Sequence, residues 1–301
     1  MKEDILLVGT GALATLFAAR LSEAGHSVHM LGTWKQGLHA LQKNGARLLD
    51  ADGNERAHPV HATDDPCEVS GARHAIVLVK SWQTERAAKQ LSECLANDGL
   101  ALTLQNGLGN HEIISRDLGP ARAALGITTT GGTLLEPGLV GAGGEGTISM
   151  ERNQALGPLE AALRSSRFHV NIVDDAQSLV WGKLVINSAI NPLTALLQVP
   201  NGELLVHPGA RKMMAALACE TAKVATAEHV HLPFGDPVSA AEDVVRETAA
   251  NYSSMFQDIK RGAPTEIDAI CGAVARRGDQ YGIPTPYNHA CWKLVHEASL
   301  N

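Results

Sequence analysis

The sequence predicts an α/β fold in which an N-terminal doubly wound sheet, mostly parallel, is followed by an all-helical C-terminal domain. Three observations predict it. Short apolar runs at 5–8, 74–79 and 100–105 are separated by helical stretches, the pattern of strands buried on both faces of a parallel sheet. The first of these strands passes through a glycine-rich turn straight into a helix. After Asp174-Asp175 the strand-like runs cease and apolar residues recur at helical spacing. The boundary is placed at 173, giving domains 1–173 and 174–301.

Composition narrows the class. Of 301 residues, 45% are hydrophobic and 19% charged, the balance of a globular chain with room for two cores. Twenty-five basic against 32 acidic side chains leave a formal net charge of −7, so nucleic acid and anionic membrane surfaces are not expected as partners. The opening Met1-Lys2-Glu3-Asp4 is too short and too acidic for a signal peptide, and no apolar run would span a bilayer. Five scattered cysteines, at 67, 94, 219, 271 and 291, form no C-x-x-C pair, which predicts reduced thiols in a cytoplasmic protein. The close histidine pairs His58/His61 and His229/His231 lack a third ligand nearby, and there is no H-E-x-x-H; no metal site is predicted.

Residues 5–31 read as strand, turn, helix and strand, with Gly9-Thr10-Gly11-Ala12-Leu13-Ala14 in the turn and Gly25 ending the helix. In that setting Gly9 permits the tight turn, Gly11 lets backbone N–H groups approach a pyrophosphate, and Ala14 lets helix pack closely on strand. This makes 9–14 the candidate binding loop of a dinucleotide and the domain Rossmann-type. At the end of the second strand an acid would bind the ribose 2′-OH of NAD and a cation would favour NADP. The chain has Leu31-Gly32-Thr33-Trp34-Lys35 there. With no acid to repel a 2′-phosphate, Thr33 able to hydrogen-bond it and Lys35 able to pair with it, the reading leans to NADP. NAD is not excluded, since Lys35 equally suits the solvated start of the next helix.

Lys80 and Asn106 follow the strands 74–79 and 100–105. An open parallel sheet holds its ligand beyond these carboxyl ends, where the nicotinamide half of a cofactor would lie. A lysine snorkelling to solvent and the start of an Asn-Gly turn are the plainer alternatives. The glycine- and threonine-rich stretch 127–150 predicts short strands continuing the sheet antiparallel, 154–166 a helix and 168–173 a last strand. Helices are then predicted at 181–197, 209–229, 237–252, 265–281 and 286–299.

In the first of these, WGKLVINSAINPLTALL, the polar Lys183, Asn187 and Asn191 recur every four residues and so share one stripe of an otherwise apolar helix. A buried ammonium and two buried amides need partners. A ligand is one candidate, and a structural polar network the other.

The residues together resemble a known family. Gly9-x-Gly11-x-x-Ala14, Val79-Lys80, Gln105-Asn106-Gly107, Lys183-x-x-x-Asn187-x-x-x-Asn191-Pro192-Leu193-Thr194, and Ser253-Ser254-Met255-x-Gln257-Asp258 with Thr265-Glu266-Ile267-Asp268 resemble the ketopantoate reductase (2-dehydropantoate 2-reductase) family. They do so in order and over almost the whole chain, and the last two motifs are far more specific than the glycine loop. The resemblance implies a Rossmann domain joined to a helical domain like that of 6-phosphogluconate dehydrogenase. It implies NADPH-dependent reduction of 2-dehydropantoate to D-pantoate, toward pantothenate and coenzyme A. Lys183 would be the catalytic lysine and Glu266 the catalytic-site glutamate. Asn106, Asn187, Asn191 and Ser254 would contact substrate, and Lys80 would lie near the nicotinamide ribose. The family commonly has an arginine after the second strand, where this chain has Gly32-Thr33.

Ketone reduction needs a proton on oxygen as negative charge builds there, and a lysine ammonium both stabilises that charge and delivers the proton. Glu266 within reach would favour the charged lysine as an ion-pair partner; in isolation T-E-I-D also reads as an acidic helix start. Two alternatives stand beside the 2-dehydropantoate reading: an NAD(P)H-dependent reductase of another 2-oxo acid, and a non-catalytic dinucleotide-binding regulator. A homodimer through the helical domain is a further expectation.

Overall fold

The computed structural model describes residues 2–299. They form two compact units. One comprises residues up to Gln105 together with Asn110–Ala176; the other comprises Asn106–Gly109 and the residues from Gln177 onward. Among the described residues no helix is long and apolar enough to cross a membrane, and no three His, Cys, Asp or Glu side chains are grouped to hold a metal ion.

In chain order the first unit contains β1 (Asp4–Val8), α1 (Ala12–Glu23), β2 (Ser27–Leu31), α2 (Lys35–Asn44), β3 (Ala46–Leu49), β4 (Glu55–His58), β5 (His61–Thr63), β6 (Ala72–Val77), α3 (Thr84–Cys94) and β7 (Leu95–Thr103). It continues with α4 (Asn110–Leu118), β8 (Ala123–Thr128), β9 (Gly132–Glu136), β10 (Leu139–Ala142), β11 (Thr147–Glu151), α5 (Gly157–Ser165) and β12 (His169–Val173). The main sheet has the order β12-β11-β8-β7-β6-β1-β2-β5. Every neighbouring pair is parallel except β8 and β11. The strand order runs from β1 through β2 to β5 on one side and from β6 outward on the other, so the turn after β1 sits at the topological switch point.

The apolar runs are explained by burial on both faces. Ile5 and Leu7 of β1 enter one core with Phe17, Met30 and Ile76, while Leu6 and Val8 enter a second with Leu31, Val77 and Leu91. Alternation of side chains along a strand divides the run between the two. The predicted antiparallel continuation over 127–150 holds only for β11. Strands β9 and β10 join β3 and β4 in a separate sheet of order β4-β3-β10-β9, in which β10 pairs parallel with β3 and antiparallel with β9. The three short strands between 46 and 63 have no counterpart in the sequence reading: they are three or four residues long, and β4 is largely exposed, too little for a periodic signal.

The second unit consists of α6 (Ala176–Leu197), α7 (Glu203–Val206), α8 (Pro208–Ala227), α9 (Pro237–Glu247), α10 (Ser254–Lys260), α11 (Cys271–Tyr281) and α12 (Pro286–Ala298). Proline at the first turn of α8, α9 and α12 supplies a preset φ where no N–H partner is lost. The core joins Trp181, Leu184 and Val185 of α6 to Leu217, Val245, Phe256, Val274 and Val295.

Two predicted helices are corrected. The one expected over 237–252 ends at Glu247, because the carbonyls of Ala249 and Asn251 accept from Gly202 and Asn201 instead of continuing a helix. The one expected over 265–281 begins only at Cys271; Ile270, with ψ −97, is not helical, and Glu266 to Ile270 form a compact turn.

One buried acid organises this unit. Glu220 of α8, only 6% exposed, accepts from the backbone N–H of Tyr287 (3.0 Å) and Asn288 (2.9 Å) and from the Asn288 side-chain amide (2.9 Å). It therefore caps the start of α12 from 67 residues away, satisfying donors that a helix's first turn leaves open. Glu220→Ala is expected to destabilise the protein by on the order of 3 kcal/mol, because N–H groups lose their acceptor in the interior. Urea unfolding measures this, and a loss well under ~1 kcal/mol would remove Glu220 from that role.

Candidate functional site

In the first unit the glycine turn has the geometry its residue types suggest. Gly9 has φ +136, a region that side-chain-bearing residues avoid, and a Cβ there would press on the Leu78 carbonyl carbon at 3.2 Å. Its N–H donates to Leu31 across the sheet at 2.8 Å. Gly11 caps α1 with extended backbone and no side chain, and a Cβ built on it would meet nothing within 4 Å. The space that a side chain at Gly11 would take, beside the start of α1, is therefore open. Ala14 is buried in the core beneath, and Thr10 is 5% exposed.

At the end of β2, Gly32 is filled by its neighbour: a Cβ would lie 2.7 Å from Cγ2 of Thr10. Thr33 is half-buried, and Lys35 is exposed as the first residue of α2.

Lys80, half-buried, precedes a short 3-10 turn at Ser81–Gln83. A network that the sequence reading missed fixes this corner. The amide nitrogen of Gln105 donates to the Val79 carbonyl (3.0 Å) and to Thr84 Oγ1 (2.8 Å), its oxygen accepts from Thr103 Oγ1 (2.9 Å), and Thr84 donates to Asn110 Oδ1 (2.8 Å). The ends of β6 and β7 and the starts of α3 and α4 are tied by these side chains. The only sequence signal was the place of Gln105 beside Asn106 at a strand end.

In the second unit α6 carries Lys183, Asn187 and Asn191. Its core-facing side is anchored: Ser188 Oγ bonds Thr221 Oγ1 at 2.8 Å, and Trp181, Leu184, Val185 and Ala189 are buried. Lys183 and Asn187 fall among the half-buried positions of the helix, and Asn191 is buried. Pro192 lies inside α6 and has no N–H to give to the carbonyl four residues back, that of Ser188. The buried thiol of Cys271 approaches that carbonyl at 3.8 Å. Burial drives the Lys183 ammonium pKa down to about 8, opposed by the Glu266 carboxylate, which favours the charged form.

Glu266, 5% exposed, sits in the turn before α11. Asn106 Nδ2 donates to its Oε2 at 3.1 Å. The segment Asn106–Gly109 packs with this unit because Leu108 N–H donates to the Ala269 carbonyl at 2.9 Å. Gly107 makes the approach feasible: its φ is +82, and a Cβ would overlap the Ala269 backbone. Asn106, Lys183 and Glu266 are therefore brought together. Ser254 is the exposed first residue of α10. Its neighbour Ser253 is the cap, accepting from Phe256 N–H (3.1 Å) and from Thr194 Oγ1 (2.7 Å), a division of labour within the serine pair that the sequence did not reveal.

Residues 5–154 match the family described as ketopantoate reductase PanE/ApbA, and residues 175–299 match its C-terminal part. A 2-dehydropantoate 2-reductase of Halobacterium salinarum is 33% identical over 98% of each chain. A crystal structure of a PanE/ApbA family ketopantoate reductase from Ralstonia eutropha superposes with a TM-score of 0.91 at 31% identity, covering 98% of each chain. D-mandelate dehydrogenase, in its ternary structure with NADH and anilino(oxo)acetate, also reaches a TM-score of 0.91, at 28% identity and 98% of each chain.

Proposed function

The chain belongs to the ketopantoate reductase family, and from that premise we propose that it reduces 2-dehydropantoate to D-pantoate with NADPH. The observation that carries the reading is Lys183, an ammonium whose pKa lies at about 8 with the carboxylate of Glu266 supporting its charge.

The residues at the switch point fit a dinucleotide: Gly9 to Ala14 leave the start of α1 open to the pyrophosphate, Lys80 suits the nicotinamide ribose, and Thr33 and Lys35 suit the adenosine 2′-phosphate. The bound nicotinamide would supply the hydride. All else falls to this chain's side chains. Lys183 presents positive charge to the ketone oxygen as it becomes negative and gives that oxygen its proton. At a pKa of about 8 it is mostly protonated near neutral pH, yet a much stronger acid than an ordinary lysine. Glu266 keeps it charged, and Asn106 holds the Glu266 carboxylate in place. Asn187 and Asn191, one and two turns along α6, orient the substrate's carboxylate and hydroxyl, with Ser254 as a further polar contact.

A second reading has its own support: reduction of a different 2-oxo acid, with NADH. The likeness to D-mandelate dehydrogenase with NADH, and Gly32-Thr33 in the place of the family's usual arginine, favour it.

A panel of 2-dehydropantoate, branched and aromatic 2-oxo acids, each followed with NADPH and NADH, is expected to give the highest kcat/KM for 2-dehydropantoate with NADPH. A better aromatic substrate with NADH would replace this reading by the second, and dinucleotide binding without turnover of any 2-oxo acid would make the protein a regulator. Lys183→Ala is expected to lower kcat by about two to four orders of magnitude while leaving NADPH affinity near normal; a correctly folded variant with near-normal turnover would sink the assignment. Because the proton donor must be charged, kcat/KM for reduction is expected to hold below the Lys183 pKa and to fall as pH rises through about 8. The reverse oxidation, which needs the neutral amine, should rise through the same pH. A flat profile between pH 7 and 10 would place the proton elsewhere.

A further inference from the structure

Glu266 stands on a turn rather than on a helix, so its position depends on whatever holds that turn. One side is held by the Ala269 carbonyl, which accepts from Leu108 N–H. The other side is held two residues beyond Glu266. Asp268 accepts from Trp292 Nε1 at 2.8 Å and from His296 Nε2 at 2.9 Å, both on α12. Its backbone carbonyl accepts from Arg276 of α11 at 2.7 Å. The Arg276 guanidinium in turn lies over the Trp292 ring, 5.1 Å from its centroid. Gly272 leaves room for this arrangement, since a Cβ there would come within 2.9 Å of the Trp292 indole.

We propose that Asp268 is a positioning residue for the reaction: by clamping the Glu266 turn to α12 through Trp292 and His296, it sets the carboxylate where it supports the charge on Lys183. The proposal rests on the reductase reading. It explains a feature that a purely structural account leaves aside. The acid is half exposed, where an ordinary surface ion pair contributes little to stability, yet it gathers two side-chain donors from one helix while its own carbonyl takes a third from another. Burial alone would raise the Asp268 carboxyl, but the His296 and Trp292 hydrogen bonds outweigh it and hold the pKa below its usual value. The charged groups that face it are His296 of α12 and Arg276 of α11. The clamp therefore persists through neutral pH, the range in which Lys183 is charged.

The test is a cycle of Asp268→Asn, Glu266→Gln and the double variant, read by kcat, its pH profile and thermal stability. Both donors meet one oxygen, Oδ1, so an asparagine keeps an acceptor there but loses the charge that strengthens both bonds and the ion pair with His296. Asp268→Asn is expected to lower kcat roughly ten- to hundredfold and to move the alkaline limb to lower pH, since Lys183 loses carboxylate support. Glu266→Gln should move the limb the same way. The double variant should be little worse than Glu266→Gln alone, as expected of residues acting through one group. Trp292→Phe, which keeps the ring and removes one donor, should shift the limb in the same direction by less, and it carries the test if Asp268→Asn does not fold. A destabilised Asp268→Asn with a wild-type alkaline limb and kcat would overturn the proposal, as would losses that add in the double variant. Normal turnover in both Lys183→Ala and Glu266→Gln would overturn the reductase mechanism itself. Impairment of those two, with Asp268→Asn and Trp292→Phe normal, would overturn the clamp alone.

Discussion

The helical unit is arranged around one unfavourable placement, an ammonium taken far enough out of water that its pKa falls to about 8. Taking a charge from water costs several kcal/mol unless a partner compensates, and the partner here is a carboxylate that is itself nearly buried. Each compensation calls for another. Lys183 relies on Glu266, Glu266 accepts from Asn106, and Asn106 reaches it only because Gly107 lets the strand-end segment lie against Ala269. On the proposed reaction this tension is useful, since a lysine held near neutrality gives up a proton far more readily than one in solvent.

The unit supports this placement with polar contacts between its helices. Pro192 would orphan the Ser188 carbonyl within α6, and Cys271 supplies a weak donor from α11. Thr194, on the same face as the stripe, donates to Ser253, while Ser188 turns its hydroxyl to Thr221, which fixes α6 on the side away from Lys183 and Asn187. Glu220 does the same for α12, and α12 in turn carries Trp292 and His296. Rigid support of a site by elements hydrogen-bonded to one another is what preorganisation requires.

Much of this was legible in the chain, and what was not follows a physical pattern. The strand, turn and helix at 5–31 could be read because burial on two faces and the needs of a tight turn impose residue types at fixed offsets. The stripe Lys183, Asn187 and Asn191 could be read because helical period and polarity conflict so plainly. The late start of α11 could not: Thr265 to Asp268 has the composition of a helix start, and only the long-range bond from Leu108 to Ala269 shows that the backbone there is committed elsewhere. Glu220 was equally hidden, since a cap supplied from 67 residues away leaves no local signature. The second sheet was missed because its strands are short and two of them are borrowed from a glycine-rich stretch that reads as a continuation of the first.

On the proposed reading, the adenosine end of the cofactor site is decided by packing as much as by charge. Thr10, inside the glycine motif, fills the space that any side chain at position 32 would use, so the motif and the end of β2 constrain each other. On the proposed reading, recognition of a 2′-phosphate then passes to Thr33 and Lys35. Lys35 is exposed at the first residue of α2, a point charge in high dielectric without the bidentate fork that arginine would offer. Such a contact discriminates by a small factor. On that reading neither acid nor arginine dictates the cofactor, and a modest preference between NADPH and NADH would be the physical consequence of a threonine, a glycine and a solvated lysine sharing that corner.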